Sequence, residues 1–104
     1  MKLLFFDTET TGLPKDWNAP VSNLDNWPRL VQLAWQTFNS NGDLIEEHEY
    51  IIKPEGFSIP EEASNIHKIT NEKAIENGES LKKILSLFKQ SIDHAKTLIH
   101  KLVI

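Results

Sequence analysis

The fold class this sequence predicts is a mixed α/β sheet, with three strands in an antiparallel meander, a run of helices, then a parallel strand. Three observations predict it. Apolar stretches at Leu3–Phe6 and Leu30–Phe38 are followed by Leu44–Lys53 beyond a turn at Ser40-Asn41-Gly42-Asp43. Between Leu81 and Ala95, apolar residues recur at helical spacing. The β-branched, apolar stretch Thr97–Ile104 follows that helix, and a strand reached through a helical crossover pairs parallel to its neighbour.

The first strand opens with four large apolar residues, Leu3-Leu4-Phe5-Phe6, which predicts burial on both faces. It runs into Asp7-Thr8-Glu9-Thr10-Thr11-Gly12. Residues 13–29 form a loop, broken by Pro14, Pro20 and Pro28. Trp17 and Trp27 lie in this polar stretch, either anchoring it to the core or offering an aromatic face to a base. In the second strand Val31, Leu33 and Trp35 share one face and Gln32, Ala34 and Gln36 the other. The turn at 40–43 suits a hairpin, because Asn and Gly tolerate positive φ. In the third strand Glu46, Glu47, His48 and Glu49 predict an exposed edge, with His48 at the surface. Pro60 suits the first turn of a short helix over Glu61–Ile66. Thr70 caps a second helix ending near Asn77-Gly78, and Ser80 caps a third. Leu81, Ile84, Leu85, Phe88, Ile92 and Ala95 form the third helix's core stripe.

At 104 residues the chain is read as one domain, 1–104. The formal charge is −4. Residues 1–50 hold three Lys/Arg against eight Asp/Glu, and residues 51–104 hold eight against seven. That balance excludes the basic stripe of a static nucleic-acid binder, but not an enzyme that grips phosphate through bound metal. The chain has no cysteine, which excludes a disulfide framework and a thiolate metal site and fits a cytoplasmic location. The N-terminal apolar run is too short for a signal peptide or a membrane span, so no membrane partner is expected.

Residues two apart on a strand point to one side, so Asp7 and Glu9 converge and Thr8 points away. Two convergent carboxylates beside a core repel each other unless a cation lies between them. Hard oxygen ligands suit Mg²⁺ or Mn²⁺. Three chemistries use such a pair. A calcium loop would need an acid where Asn18 stands. A haloacid-dehalogenase-like phosphatase would make Asp7 a nucleophile, but it expects Asp where Glu9 stands and a helical unit where a hairpin follows. Two-metal phosphodiester hydrolysis would bracket two ions roughly 3.5–4 Å apart, one to activate water and one to stabilise the leaving oxygen. There Thr10, Thr11 and the backbone at Gly12 would hold the terminal nucleotide. This third chemistry needs further acids and a general base.

Phe6-Asp7-Thr8-Glu9-Thr10-Thr11-Gly12-Leu13 resembles the first motif of the DEDD (DEDDh-type) 3′→5′ exonucleases, most of all the proofreading epsilon subunit of bacterial DNA polymerase III and its relatives. Pro28-Arg29-Leu30-Val31-Gln32-Leu33-Ala34 resembles the family's second strand, and Ile66-His67-Lys68-Ile69-Thr70 its His-Gly-Ile-Thr segment. The resemblance implies a ribonuclease H-like fold, catalytic and metal-binding roles for Asp7 and Glu9, and Mg²⁺ or Mn²⁺ as cofactor, two ions in a complete site. It also implies that Thr8, Thr10 and His67 line the site for the 3′-terminal nucleotide of single-stranded DNA or RNA, and it makes a DNA polymerase one candidate partner. Leu13 either wedges against a terminal base or joins the core. His67 read alone is an ordinary helix-end histidine. Lys68 replaces the family's glycine, which puts the local turn in question.

The family's second motif begins at Leu98-Ile99-His100, but Lys101 stands where Asn belongs. Its Asp would fall one residue beyond Ile104, and the third motif, with the general-base His and fourth acid, further still. His94, on a helix, and His100, within a strand, do not substitute for it. The expectation is therefore the N-terminal part of an exonuclease domain, cut short by truncation or frameshift and inactive alone. The alternative is a non-catalytic nucleic-acid or protein-binding module. Either way, the last strand is expected to be an apolar edge that makes the chain marginally stable or self-associating.

Overall fold

A computed structural model of the protein describes residues 2–93 and the backbone of residues 97–101. The elements are β1 (Lys2–Thr10), β2 (Leu30–Phe38), β3 (Leu44–Ile51), α1 (Glu61–His67), α2 (Asn71–Asn77), α3 (Leu81–Asp93) and β4 (Thr97–Lys101). They build one four-stranded sheet in the order β3-β2-β1-β4. β1 pairs antiparallel with β2 and parallel with β4, and β2 pairs antiparallel with β3. This is the predicted meander plus crossover strand. Of the predicted last strand, Leu102–Ile104 lie outside the described residues.

Local chemistry sets the connections. The Asn39 Oδ1 accepts from the amides of Asn41 and Asp43, at 2.9 and 3.0 Å, and Gly42 takes φ 86°. An Asx turn followed by a positive φ reverses the chain at the hairpin. The Thr70 Oγ1 accepts from the Lys73 amide at 3.1 Å and the Ser80 Oγ from the Lys83 amide at 3.2 Å, so both predicted caps form. Pro60 occupies the extended cap position of α1, ahead of its first turn.

The core lies between the sheet and α3. Leu4, Leu33, Trp35, Ile52 and Ile84 are buried together, with Phe6, Leu87, Phe88 and Ile92 packed against them. The Trp35 Nε1 donates to the buried Ser91 Oγ at 3.0 Å. A second cluster of Val31, Ile59, Ala63, Ile69 and Ala74 fastens α1 and α2 to the β3 side.

Three expectations are corrected. β1 is not buried on both faces: Leu4 is inaccessible, whereas Leu3, Phe5 and Phe6 are half-buried, and Phe5 meets Phe38 edge-on at 5.8 Å. His48 is no free surface residue. It shares a register position with Trp35 and stacks on that indole at 4.5 Å. The stripe of α3 is rotated, because Ile84, Leu87, Phe88 and Ser91 face the sheet while Leu81 and Leu85 stay exposed; Ala95 lies outside the described residues. Gly78 ends α2 as expected, with φ −76°. A Cβ there would lie 2.6 Å from the Lys53 amide nitrogen, so glycine is required for close approach.

Candidate functional site

The register of β1 decides which side chains meet. Asp7 pairs with Ala34 and Glu9 with Gln32, while Thr8 pairs with the buried Leu33. Cross-strand partners share a face, so Asp7 and Glu9 lie together on the side of the sheet away from α3. Both are half-buried. Thr8 faces α3, so its side chain does not join the acids there. A register shift follows at once, between Glu9 and Thr10.

Two further acids share that face. Glu49 pairs with Ala34 and Glu47 with Gln36. Each is held by a glutamine of β2: the Gln32 Nε2 donates to Glu49 at 2.8 Å, and the Gln36 Nε2 to Glu47 at 3.2 Å. Among the described residues this face thus gathers four acids, a field that favours a cation. Sequence reasoning missed Gln32 and Glu49 because the Glu-rich β3 reads as a solvated edge; only the pairing register shows which of its acids share the face of Asp7.

The oxygen donors of Asp7 and Glu9 fit a hard divalent cation, and the acidic face adds to the fit. Among the described residues, no group of three or more His, Asp and Glu is placed to hold a metal ion.

The loop after β1 is closed at a neck, where the Thr11 amide donates to the Arg29 carbonyl at 3.0 Å and the Arg29 amide to the Thr11 Oγ1 at 2.9 Å. Higher up, Asn26 is 7% exposed; its Oδ1 accepts from the Asp16 amide at 2.7 Å and its Nδ2 donates to the Asp16 carbonyl at 2.9 Å. The Thr10 hydroxyl donates to the Gly12 carbonyl at 2.9 Å and accepts from the Gly12 amide at 3.3 Å. Its hydrogen bonds thus shape the turn. Leu13 is 80% exposed, which removes the core alternative for it. Trp27 anchors the loop through its Nε1 to the Pro20 carbonyl at 3.0 Å, whereas Trp17 is 69% exposed.

His67 ends α1. Its Nδ1 accepts from the Ile69 amide at 3.1 Å, which makes the ring the Nε2–H tautomer. That Nε2 is buried and has no hydrogen-bond partner. Lys68 takes the left-handed conformation, φ 66°, and its amide donates to the Ser64 carbonyl at 2.7 Å, so the turn forms without glycine. His67 lines a cavity of about 520 Å³ with Gln32, Glu49, Lys68 and Lys73. Gln32 is the common neighbour of Glu9, by register, and of His67, across this cavity. His94 and the side chain of His100 lie outside the described residues.

Residues 4–104 match the model of the RNase T family, described as exonuclease. Sequence comparison with curated proteins gives no match. Among solved structures, product-bound exonuclease I superposes with TM-score 0.75 at 24% identity, over 96% of this chain and 21% of that one. E. coli exonuclease I in complex with a dT13 oligonucleotide gives TM-score 0.76 at 24% identity, over 96% and 20%. An exonuclease I complex with SSB-Ct gives 0.75, 24%, 96% and 20%. The chain spans about a fifth of the length of these structures, and the likeness establishes a ribonuclease H-like fold.

Proposed function

Because the chain belongs to the RNase T exonuclease family, we propose that it forms the first-motif part of a 3′→5′ exonuclease acting on single-stranded DNA, with Asp7 and Glu9 as catalytic, metal-holding residues. The observation that carries this reading is the register that puts both carboxylates on one acidic face at the end of an interior strand. The antiparallel pairing of β1 with β2 also disfavours the phosphatase alternative, which expects a helical unit there.

In this reading Asp7 and Glu9 would hold Mg²⁺ or Mn²⁺, which supplies the charge for activating water and stabilising the leaving oxygen. The Thr10–Gly12 turn and the Thr11–Arg29 neck fix the backbone beyond Glu9, against which a terminal nucleotide would lie. Leu13, exposed on that turn, would pack on the terminal base, and His67 would offer its unpartnered Nε2–H to an acceptor on the nucleotide. Thr8 contributes no side chain to this face.

The test uses oligothymidylates labelled at the 3′ or the 5′ end, with Mg²⁺ or Mn²⁺, and a chain extended to carry the further acids and the general base, because the 104-residue chain alone is expected to be inactive. The reading expects release of the 3′ label first and loss of activity in EDTA. Since bound metal lowers the barrier by several kcal/mol, Asp7→Ala should reduce the rate by more than about a hundredfold. Earlier release of the 5′ label, or an unchanged rate in Asp7→Ala, would overturn it. A second reading, a non-catalytic binding module, is favoured by the incomplete ligand set among the described residues. It expects Mn²⁺ binding that depends on Asp7, measured by calorimetry, without cleavage.

A further inference from the structure

A cavity of about 280 Å³ lies at the end of the sheet where Glu9 and Thr10 sit, on its α3 side. Its floor is apolar, from Leu30, Ile52, Phe57 and Leu81, and its rim carries Arg29, Lys53 and Lys82 against the single acid Glu55. In a chain of net charge −4, three cations around one apolar cavity depart from the general balance. The His67 cavity, by contrast, sets Lys68 and Lys73 against Glu49 and Glu79.

The cations are also placed where local structure does not call for them. Lys82 lies in the first turn of α3, which holds no acid, and a cation there opposes the helix dipole. Its neighbour Lys83 is paired with Glu79 at 2.9 Å, whereas Lys53 and Lys82 have no acid partner among the described residues. The guanidinium of Arg29 lies over the Phe57 ring, 5.3 Å from its centroid, which fixes its position. Arg29 also forms the neck with Thr11, and Leu30 pairs with Thr10. The cavity is thus joined through two backbone contacts to the strand that carries the acids.

We infer that this cavity holds the single strand upstream of the 3′ end, its phosphates on Arg29, Lys53 and Lys82 and a base against Phe57 and Leu81. The choice of a nucleic-acid strand as occupant rests on the nuclease reading, together with the charge complementarity. An anionic strand repelled by the acidic face of Asp7, Glu9, Glu47 and Glu49 meets cations only after it passes around the end of the sheet. Such a division lets the backbone be gripped without neutralising the carboxylates that would hold metal.

The experiment measures binding of a labelled oligothymidylate by fluorescence anisotropy in EDTA, at several salt concentrations, with no cleavage required. One phosphate contact to a single strand contributes about 0.7 to the slope of log affinity against log salt, so Lys53→Ala and Lys82→Ala should each lower the slope by ~0.7 and weaken binding about fivefold near 0.1 M salt. Both lysines are exposed, and an unchanged melting curve confirms folding. Lys89→Ala, at an exposed position of α3 paired with Asp93 at 3.2 Å, makes the same change in net charge outside the cavity and should leave slope and affinity unchanged. An equal loss in Lys89→Ala, or no loss in either cavity variant, would overturn the inference. So would displacement of the oligonucleotide by polyglutamate of equal charge, which would assign the cavity to an acidic protein segment. Asp7→Ala separates the two readings, because it should abolish cleavage and preserve this binding. Loss confined to Lys53→Ala and Lys82→Ala, with no Asp7-dependent cleavage by the extended chain, would leave the cavity assignment standing and the nuclease reading overturned.

Discussion

Lys68 holds φ 66° at the end of α1, a region that costs a residue with a Cβ about 1–2 kcal/mol and glycine almost nothing. Glycine loses more chain entropy on folding, so the net gain from Lys68→Gly is about 0.5 kcal/mol, or roughly 2–4 °C in Tm; a thermal melt checks it. Ser91 matters for a different reason. Removing its hydroxyl by Ser91→Ala leaves the Trp35 Nε1–H buried without an acceptor, and chemical denaturation should register a loss of about 1–3 kcal/mol. Single residues also show where the sequence was legible. Asp7 and Glu9 share a face because strand alternation is a property of the backbone. Trp17 and Trp27 could not be told apart, since which indole finds a carbonyl depends on how the loop folds over Pro20. His48 was misread because its polarity says nothing about the indole directly across from it.

At the scale of elements, Gly78 joins the helices to the sheet. The Lys53 amide donates to the Glu79 carbonyl and the Glu79 amide to the Ile51 carbonyl, both at 2.8 Å, so the residue after Gly78 extends the sheet past β3. A Cβ at 78 would lie 2.7 Å from the Lys53 Cα and force these strands apart. Gly78→Ala should lose both bonds, at about 1 kcal/mol each, giving a drop of roughly 2 kcal/mol in urea denaturation. The sequence marked this glycine as a helix end; its role as a spacer depends on a tertiary approach that no local pattern encodes. The stripe of α3 shows the same limit. Periodicity identified the helix, but the choice between Leu85 and Leu87 as the inward residue was made by the sheet, where Trp35 takes Phe88 at 5.1 Å.

For the whole molecule, the order β3-β2-β1-β4 puts the candidate acids on an interior strand and leaves β4 at an edge. Among the described residues β4 has no neighbour on its outer side, and unpaired strand edges template association. The chain is therefore expected to self-associate with rising concentration in sedimentation velocity; a single monomeric species throughout would contradict this. Strand order was legible because a tight hairpin and one helical crossover leave few alternatives. The acidic face and the cationic cavity were not, since each gathers residues from separate elements. The tryptophans give the fold an optical consequence. Trp35 is 1% exposed among His48, Tyr50 and Phe88, while Trp17 is 69% exposed and Trp27 half-buried on the loop after β1. In the Trp27→Phe variant, the emission should divide into a blue component from Trp35 that shifts only when the core opens and a red component from Trp17 quenched by acrylamide in the native state, so that one cuvette reports separately on the scaffold and on the loop after β1.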